Sequence, residues 1–327
     1  MRIGIDCRKI ADFGIGSYIR GLLHGLVELG GETYVAFGPG EIAGMLPTGV
    51  EHVIDDAPKY SLRELFTIGR HAQIDLFHAP HYVVPFVSVP FVVTIHDLIH
   101  LHHRNPLGRL YARSMIGRAV RKSRAVFTVS HAVRDEIASL FGHDDKIFVT
   151  PNGVDPVFTS AGAKADGRYF LFVGNDKPHK NVDRLVEAVP RDVQLVLAGG
   201  SFERFRIRER VVLAGFVPSE QLAALYRGAI ALVLPSLEEG FGLPALEAMA
   251  CGTAVITSNA RSLVEVTGDA AIHVDGQSVA SIADAMTRVM SDERSRAAMI
   301  DRGSQRAREF TWRRCAEITR EIYRRIA

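Results

Sequence analysis

The feature that most constrains this 327-residue chain is a repeated alternation of short apolar, β-branched runs with longer helical stretches. Such runs, bounded by turn residues, are typical of buried parallel strands joined by crossover helices. The alternation predicts strands at residues 2–6, 34–37, 50–54, 75–79, 91–95, 125–129 and 147–150. After an aperiodic segment it restarts and predicts strands at 169–173, 194–198, 211–214, 230–234, 254–257 and 271–274. The chain is therefore expected to be an α/β protein with two doubly wound parallel sheets.

The aperiodic segment PNGVDPVFTSAGAKADG marks the expected domain boundary, because Pro, Gly, Ala and Ser without periodicity favour a linker. We place the linker near residues 159–167 and predict an N-terminal domain over 1–160 and a second domain over 161–305. The C-terminal segment 306–327 is predicted to be helical, with Thr311 as the expected N-cap of its helix. Tandem doubly wound domains predict that ligands bind in a cleft, at the carboxyl ends of the strands.

Composition excludes several classes of protein. Hydrophobic residues make up 47% and charged residues 23% of the chain, which is typical of a folded domain and not of a disordered one. No run approaches the roughly 20 apolar residues of a membrane-spanning helix, and no signal peptide is recognisable, so we expect a cytoplasmic protein. Cys7, Cys251 and Cys315 are isolated, which argues against a disulfide framework or a thiolate zinc site.

The strongest candidate for a functional site is the segment EGFGLPALEAMACG, which follows the strand predicted at 230–234. Glu239 is expected in the loop after this strand and Glu247 on the next helix, so that one carboxylate can meet a sugar and the other a ribose. Backbone amides at the start of that helix can cradle an anion; they belong to Phe241, Gly242 and Leu243. The alternative is a tight glycine turn flanked by two solvated glutamates.

The spacing of Glu239 and Glu247, with GFGLP between them and CG after them, resembles glycosyltransferase family 4 over nearly the whole chain. This resemblance implies the GT-B fold, in which two Rossmann-like domains face each other across a cleft, with the terminal helix crossing back to the first domain. It implies a retaining enzyme of bacterial glycan or glycolipid synthesis that moves a hexose from a nucleoside diphosphate sugar to a hydroxyl acceptor on a glycan or a lipid. The donor is GDP-mannose, UDP-hexose or ADP-hexose. Mannose is the first choice because HDL, GNDKPHKN and EGFGLP look most like bacterial mannosyltransferases.

The resemblance also assigns residues in the second domain. In FLFVGNDKPHKN, Lys180 matches the lysine that neutralises the donor diphosphate. Asn175 stands where many members have an arginine, and Lys177 is the nearest candidate to replace that second cation. GFVPSEQLAALY resembles the segment that contacts the nucleobase, which places Phe216 and Val217 beside the nucleotide.

In the first domain, Gly14 and Gly16 lack the third glycine of a dinucleotide-binding fingerprint. In family 4, however, a glycine pair in this loop admits the donor diphosphate and borders the acceptor pocket; the alternative is a helix-entry turn. His96, after the strand predicted at 91–95, matches the histidine that lies against the donor sugar. We expect Asp97 to be an N-cap or loop anchor, and His81 is a weaker acceptor-side candidate.

Metal and cofactor chemistry is not indicated. The chain contains no Asp-x-Asp, the motif with which the other large glycosyltransferase fold holds a divalent cation on the diphosphate. His100, His102 and His103 lack the companion ligands of a zinc site. We therefore predict a reaction without a metal or cofactor, with charge neutralised by lysines, loop amides and a helix dipole.

A second feature is the acid-free stretch from Leu98 to Arg134. Its segment 104–124 combines seven cations with apolar residues at roughly helical spacing, namely Leu107, Leu110, Tyr111, Ile116 and Val120. Such a helix suits the inner face of an anionic membrane or a lipid diphosphate. The alternative is a helix packed on its sheet with solvated arginines. Nucleic-acid binding is not expected, because aromatic residues are scarce here and no recognised module is present.

Two other functions remain open from sequence. A sugar-nucleotide epimerase of the same architecture would release a new sugar nucleotide without an acceptor. A non-catalytic sugar-nucleotide-binding subunit is suggested only by Asn175 in place of arginine. The presence of His96, Lys180, Glu239 and Glu247 together favours a glycosyltransferase, in which positioning and electrostatics supply most of the catalysis.

Overall fold

The computed structural model of the chain describes residues 1–57, 61, 63–67, 73–102 and 105–326. Contacts between Cα atoms divide the chain into two compact units. Unit 1 comprises residues 1–153 and 311–327, and unit 2 comprises residues 154–310. No helix in the described ranges combines the length and the hydropathy needed to cross a membrane.

Unit 1 contains a seven-stranded parallel sheet with helices on both faces. Its strands are β1 (Arg2–Asp6), β2 (Thr33–Gly38), β3 (Glu51–Ile54), β4 (Leu76–Ala79), β5 (Phe91–Ile95), β6 (Ala125–Thr128) and β7 (Ile147–Val149). Within residues 1–153 its helices are α1 (Phe13–Leu29), α2 (Glu64–Thr67), α3 (Pro106–Lys122) and α4 (His131–Phe141). Single 3₁₀ turns span Gly40–Met45, Ile99–His102 and Asp144–Lys146.

Unit 2 contains a six-stranded parallel sheet. Its strands are β8 (Tyr169–Gly174), β9 (Gln194–Gly199), β10 (Val211–Gly215), β11 (Ala231–Leu234), β12 (Ala254–Ser258) and β13 (Ile272–Val274). Its helices are α5 (Val182–Ala188), α6 (Ser219–Gly228), α7 (Leu243–Ala250), α8 (Arg261–Thr267), α9 (Val279–Ser291) and α10 (Glu293–Ala307). Its 3₁₀ turns span Pro178–Lys180, Glu203–Phe205 and Gly268–Ala270. The final helix, α11 (Trp312–Ile326), belongs to unit 1.

The two sheets share one topology. The first has the order β3-β2-β1-β4-β5-β6-β7 and the second β10-β9-β8-β11-β12-β13, so both begin with the doubly wound arrangement and unit 1 adds one strand. All strands predicted from the alternation are present within one residue of their expected ends. In each sheet the topological switch point lies between the first and fourth strands of the unit, which is where ligands of doubly wound sheets bind.

Helix α11 completes the core of unit 1. Trp312 packs edge-on against Tyr18 of α1, and Tyr323 is fully buried with its hydroxyl 2.5 Å from Nδ1 of His78 on β4. Thr311 caps the helix, since its Oγ1 accepts a hydrogen bond from the amide of Arg314 at 3.1 Å. The predicted N-cap is confirmed, and burial of one face of this helix against the first sheet explains why the chain returns to unit 1.

The chain crosses between units earlier than the predicted linker. Residues 159–167 lie inside unit 2 because Arg227 donates hydrogen bonds to the carbonyls of Ala163 at 2.6 Å and Thr159 at 3.0 Å. The return crossing lies after Phe310, whose carbonyl accepts from the amide of Val154 at 3.1 Å. The two compact units are thus bounded at 153/154 and 310/311.

Candidate active site

The carboxyl edge of the second sheet brings two of the predicted residues into direct contact. Lys180, in the loop after β8, places its Nζ 2.6 Å from Oε1 of Glu239, in the loop after β11. Their side chains are 17% and 11% exposed, so the pair is sheltered but reachable. The two loops are also tied through their backbones, because the amide of Leu237 donates to the carbonyl of His179 at 2.7 Å.

Asn181 fixes the relative position of these loops. It is buried, adopts a left-handed backbone with φ of 60°, and donates from Nδ2 to the carbonyls of Pro235 at 2.9 Å and Gly276 at 2.6 Å. Asparagine tolerates this conformation better than most residues, and here it stands directly before α5. It was not predicted from the sequence; the signal available was an asparagine between a cationic loop and a helix.

The start of α7 is built around Gly242, which has a φ of 98°. A Cβ at this position would overlap the side chain of Leu263, so glycine is required by both conformation and space. Phe241 turns its ring inward against Phe310, with centroids 5.7 Å apart, which leaves only its backbone to face a ligand. The first amides of a helix lack intrahelical acceptors, so those of Phe241, Gly242 and Leu243 suit the predicted anion contact.

Glu247 lies on α7, as predicted, and accepts a hydrogen bond on Oε2 from the hydroxyl of Tyr226 at 2.7 Å. Burial raises the pKa of Glu247 to about 7, even though the bond from Tyr226 opposes that rise. Tyr226 is fully buried on α6, and its ring packs edge-on against Phe158. This bond occupies one carboxylate oxygen and leaves Oε1 for a ligand. Tyr226 was not found from sequence, since it lies twenty-one residues away from Glu247.

The other predicted nucleotide contacts flank the same edge of the sheet. Asn175 immediately follows β8, and its buried Oδ1 has no hydrogen-bond partner among the described residues. Lys177 is exposed in the same loop. Phe216, which is 76% exposed, and Val217 follow β10 directly.

Arg204 lies near this loop, but it does not supply the positive charge that is missing because residue 175 is an asparagine. Arg204 pairs with the carboxylates of Asp176 and Asp183, at 2.5 Å to each, so two negative charges already neutralise it. The hydrogen bonds that Arg204 donates to these two carboxylates raise its pKa above the usual range. Lys180 and Lys177 thus remain the cations of this loop that a diphosphate can recruit.

In unit 1, His96 follows β5 at the carboxyl edge of the first sheet. Its Nε2 lies 2.9 Å from the carbonyl oxygen of Pro80, which can only accept, so Nε2 carries the proton. Burial lowers the pKa of His96 to about 4, which keeps the ring neutral and leaves Nδ1 as a hydrogen-bond acceptor. The ring of Tyr18 packs edge-on against it, with centroids 4.7 Å apart.

A buried charged cluster, consisting of Asp6, Arg8, Glu64 and His81, lies beside β1. Arg8 holds Asp6 with a two-pronged contact, at 2.9 Å from Nε and 2.6 Å from Nη2, and its Nη2 is 3.6 Å from Glu64. Burial alone would raise the pKa of Asp6, but Arg8 and His81 hold it well below its usual range. His81, offered above as an acceptor-side candidate, has Nδ1 bonded to the amide of Val83 and Nε2 3.4 Å from Asp6. It is part of this cluster.

Gly14 and Gly16 lie at the start of helix α1, and Asp97 lies in the loop after β5. Gly14 and Gly16 lie in the first turn of α1, where Gly16 packs too closely on the carbonyl of Ile10 to allow a Cβ, while Gly14 faces open space. Asp97 anchors its loop by accepting from the amide of Ile99 at 3.1 Å. The helix entry is thus structural at Gly16, and Gly14 leaves room for a ligand.

The described ranges contain no group of three His, Cys, Asp or Glu side chains placed to hold a metal ion. His100 and His102 lie on one 3₁₀ turn, and His103 is outside the described residues. His102 instead approaches Glu136, with Nε2 3.7 Å from Oε1.

Comparison with known proteins assigns both halves of the chain. Residues 14–158 match the family described as Glycosyltransferase Family 4, and residues 156–306 match Glycosyl transferases group 1. O-antigen chain mannosyltransferase B of Escherichia coli is 30% identical over 282 residues, covering 76% of this chain and 74% of that protein.

Solved structures agree on the fold. Sucrose-phosphate synthase from Thermosynechococcus elongatus superposes with a TM-score of 0.82 at 20% identity, over 99% of this chain and 98% of that one. HepE of Anabaena, solved with UDP and glucose, gives 0.78 at 17% identity, over 99% of both chains. The fold is GT-B, and the chain belongs to glycosyltransferase family 4.

Proposed function

We propose that this glycosyltransferase moves a hexose from a nucleoside diphosphate sugar to a hydroxyl acceptor, with retention of anomeric configuration and without a metal ion. The observation that carries the proposal is the ion pair of Lys180 and Glu239 at 2.6 Å, with Glu247 on α7, the helix that follows the Glu239 loop. It combines a cation for the diphosphate with carboxylates for sugar and ribose hydroxyls. These three residues occupy the edge at which doubly wound sheets bind nucleotides.

Donor binding is expected to exchange the partners of Lys180. Without donor, Glu239 neutralises Lys180; the diphosphate brings two negative charges and competes for the same ammonium group. Glu239 is then free to accept hydrogen bonds from hexose hydroxyls. Its backbone stays anchored during this exchange, because the hydroxyl of Ser262 donates to the Glu239 carbonyl at 2.6 Å.

The remaining nucleotide contacts follow from the same edge. We assign Oε1 of Glu247 to the ribose hydroxyls and the amides of Phe241, Gly242 and Leu243 to the phosphates. Lys177 supplies a second, more exposed charge, and Asn175 offers its side-chain amide. Phe216 and Val217 flank the base, for which the exposed ring of Phe216 provides a stacking surface.

The transfer step requires no protein nucleophile. The bond from the anomeric carbon to the diphosphate oxygen breaks as the acceptor oxygen bonds to that carbon from the same side. The acceptor proton passes to the departing phosphate oxygen. Lys180 and the α7 amides stabilise the negative charge on the leaving group, and neutral His96 accepts a hydroxyl hydrogen bond from the sugar at Nδ1.

We assign the acceptor to unit 1, with Gly14 leaving room for it. A glycan or lipid-linked acceptor fits a protein that works in the cytoplasm and reaches the inner face of the membrane through segment 104–124. Arg104 lies outside the described residues, and the other cations of this segment lie on or just after α3.

Mannose is the proposed sugar. The relative named as an O-antigen chain mannosyltransferase supports this choice, whereas HepE, solved with UDP and glucose, supports a UDP-hexose as the alternative. A thermal-shift panel of GDP-mannose, UDP-hexoses and ADP-hexoses decides between them. The expected result is the largest stabilisation by GDP-mannose, because a ligand that binds only the folded protein raises its melting temperature.

The experiment that tests the reaction is donor turnover in EDTA. We expect slow hydrolysis of the best donor alone and transfer of labelled sugar once acceptors are supplied. Donor binding without turnover over a broad acceptor panel would establish a sensor instead. A new sugar nucleotide formed without acceptor would establish an epimerase, and rescue of activity by Mg²⁺ would overturn metal independence.

A further inference from the structure

Helix α3 carries a second apolar face whose side chains are more than half exposed. Its buried residues include Ala112, Ile116, Ala119 and Val120, which contact the core of unit 1. Leu107, Leu110 and Tyr111 are instead 77%, 66% and 51% exposed. At about 100° per residue, these three side chains point away from the buried face. Ile116 and Val120, which the sequence analysis named with these three as having roughly helical spacing, lie on the opposite, buried face.

The exposed face is apolar in the first half of the helix and basic in the second half. Leu107, Leu110 and Tyr111 occupy its first half, and Arg118, Arg121 and Lys122 continue the same face at helical spacing. Arg121 and Lys122 are exposed, while Arg118 stacks over the ring of Phe86 at 4.2 Å and donates to the carbonyl of Val84. We call these six α3 residues the α3 outer face.

Two exposed aromatic rings extend the apolar surface. Phe86 and Phe66 are about half exposed and pack together with centroids 5.2 Å apart. Arg118 joins Phe86 to the α3 outer face through its stacking contact. Adjoining exposed apolar side chains of this kind mark an interaction surface, whereas isolated ones do not.

Charge decides which partner fits. No Asp or Glu occurs between Leu98 and Arg134. The carboxylates that flank this stretch are engaged elsewhere. Asp97 accepts from the amide of Ile99, while Asp135 and Glu136 on α4 approach Arg134 at 3.6 Å and His102 at 3.7 Å. An apolar stripe continued by cations that form no ion pair among the described residues matches the two layers of an anionic bilayer, in which acyl chains lie below charged headgroups.

We propose that the α3 outer face docks on an anionic membrane, with Leu107, Leu110 and Tyr111 inserted at the headgroup boundary and Arg121 and Lys122 on lipid phosphates. Neither the apolar residues nor the cations are sufficient alone, since stable peripheral binding requires an apolar contact and a basic patch together. This inference deepens the membrane contact proposed above and is independent of the sugar-transfer chemistry, because none of the six residues is assigned to donor or catalysis.

A site-specific probe tests the insertion. The three native cysteines are buried, so Leu110→Cys can be labelled selectively with an environment-sensitive fluorophore. Ile207→Cys, at an 87% exposed apolar position in unit 2, is the matched control. With vesicles of phosphatidylcholine and phosphatidylglycerol, the label at 110 is expected to shift to the blue and the label at 207 to stay unchanged. A label at 110 that remains water-exposed on bound vesicles overturns the proposal.

Two double variants separate the apolar contribution from the charge contribution in vesicle sedimentation. Leu107→Ser with Leu110→Ser is expected to weaken binding at least tenfold at any salt concentration. Arg121→Gln with Lys122→Gln is expected to weaken it about tenfold at physiological salt and little at high salt. Arg313→Gln, an exposed arginine on α11, should change nothing. Circular dichroism checks folding, which exposed substitutions should preserve.

Other outcomes have defined meanings. Equal binding to neutral vesicles, or binding unchanged in both double variants, rejects the docking surface. If duplex DNA binds with the same dependence on Arg121 and Lys122 and vesicles do not bind, the surface serves nucleic acid instead. Transfer to a water-soluble acceptor should be the same in all variants, so failure of docking and failure of the proposed reaction are told apart.

Discussion

The carboxyl edges of the two sheets carry charged side chains at corresponding strand ends, but they use them differently. At the first edge, Asp6, Arg8 and Glu64 are each at most 2% exposed and bind one another. At the second edge, Lys180 and Glu239 retain contact with solvent. Buried charges that satisfy each other hold a loop in place, whereas a sheltered but reachable pair can exchange partners with a ligand.

This difference supports the separate roles that we propose for two units that share a topology. Unit 2 offers an exchangeable cation and a carboxylate of raised pKa, which suit the charged nucleotide half of a donor. Unit 1 offers a neutral imidazole and a fixed charged cluster, which suit uncharged hydroxyl groups. Topology alone therefore does not distinguish donor and acceptor domains; the local partners of each charge do.

The largest effect is expected from Arg8→Leu, which would leave Asp6 buried without its arginine. We expect a loss of about 3–5 kcal/mol in the free energy of unfolding, measured by denaturant titration. The control is Arg2→Leu, which breaks the exposed pair of Arg2 and Glu51 and should cost about 1 kcal/mol or less. Similar losses in the two variants would show that the cluster does not fix the first edge.

The next largest effect concerns Lys180. Lys180→Ala removes the cation assigned to the leaving diphosphate, and we expect kcat/KM to fall by about 10²–10³-fold. The free energy of unfolding should change little, because the ion pair is partly exposed. Lys177→Ala, in the same loop, should have a much smaller kinetic effect. If the two variants lose activity equally, the charge of the loop as a whole matters and the pair of Lys180 and Glu239 has no special role.

Glu247 should link donor affinity and stability to pH in opposite directions. Ribose hydroxyls donate to the carboxylate, so donor affinity should improve as the pH rises through about 7. The folded-state pKa lies above the ordinary value of 4.5, so the associated stability is fully present below that value and is lost as the pH rises through about 7.

Glu247→Gln tests both effects. It should flatten the pH dependence of the dissociation constant, measured by calorimetry, and weaken donor binding about tenfold above neutral pH. It should also raise the free energy of unfolding by on the order of 2 kcal/mol at about pH 8, with little change in acid. A variant that keeps the pH dependence of the original protein would show that another group is responsible.

Sequence patterns predicted the parts of the molecule that depend on local periodicity. Strands appear as apolar runs, and Glu239 lies in a loop and Glu247 on a helix, as predicted for the segment that follows the strand at 230–234. Residues whose role depends on distant partners were missed. Asn181 binds carbonyls that are 54 and 95 residues away, and no local pattern specifies such contacts.

For helix α3 too, the sequence did not decide which residues have distant partners. At about 100° per residue, Leu107 and Ile116 lie on opposite sides of the helix, but which side meets the core is decided by the sheet beneath it. The alternatives of a packed helix and a membrane-facing helix were left open by the sequence. In the structure one face of α3 packs and the opposite face is exposed.

The smallest effect is expected from Tyr226→Phe, which removes one hydroxyl and keeps the buried ring. The hydrogen bond from Tyr226 opposes the rise in the Glu247 pKa, so its loss should raise that pKa further. Donor affinity at neutral pH should fall a few-fold and recover at higher pH. Tyr169→Phe is a matched control, since the Tyr169 hydroxyl donates to the carbonyl of Leu225 at 2.7 Å, also in unit 2. Both variants should lose about 1 kcal/mol of stability. Only Tyr226→Phe should displace the pH profile of donor binding, and a profile displaced equally in both would reduce Tyr226 to a packing residue.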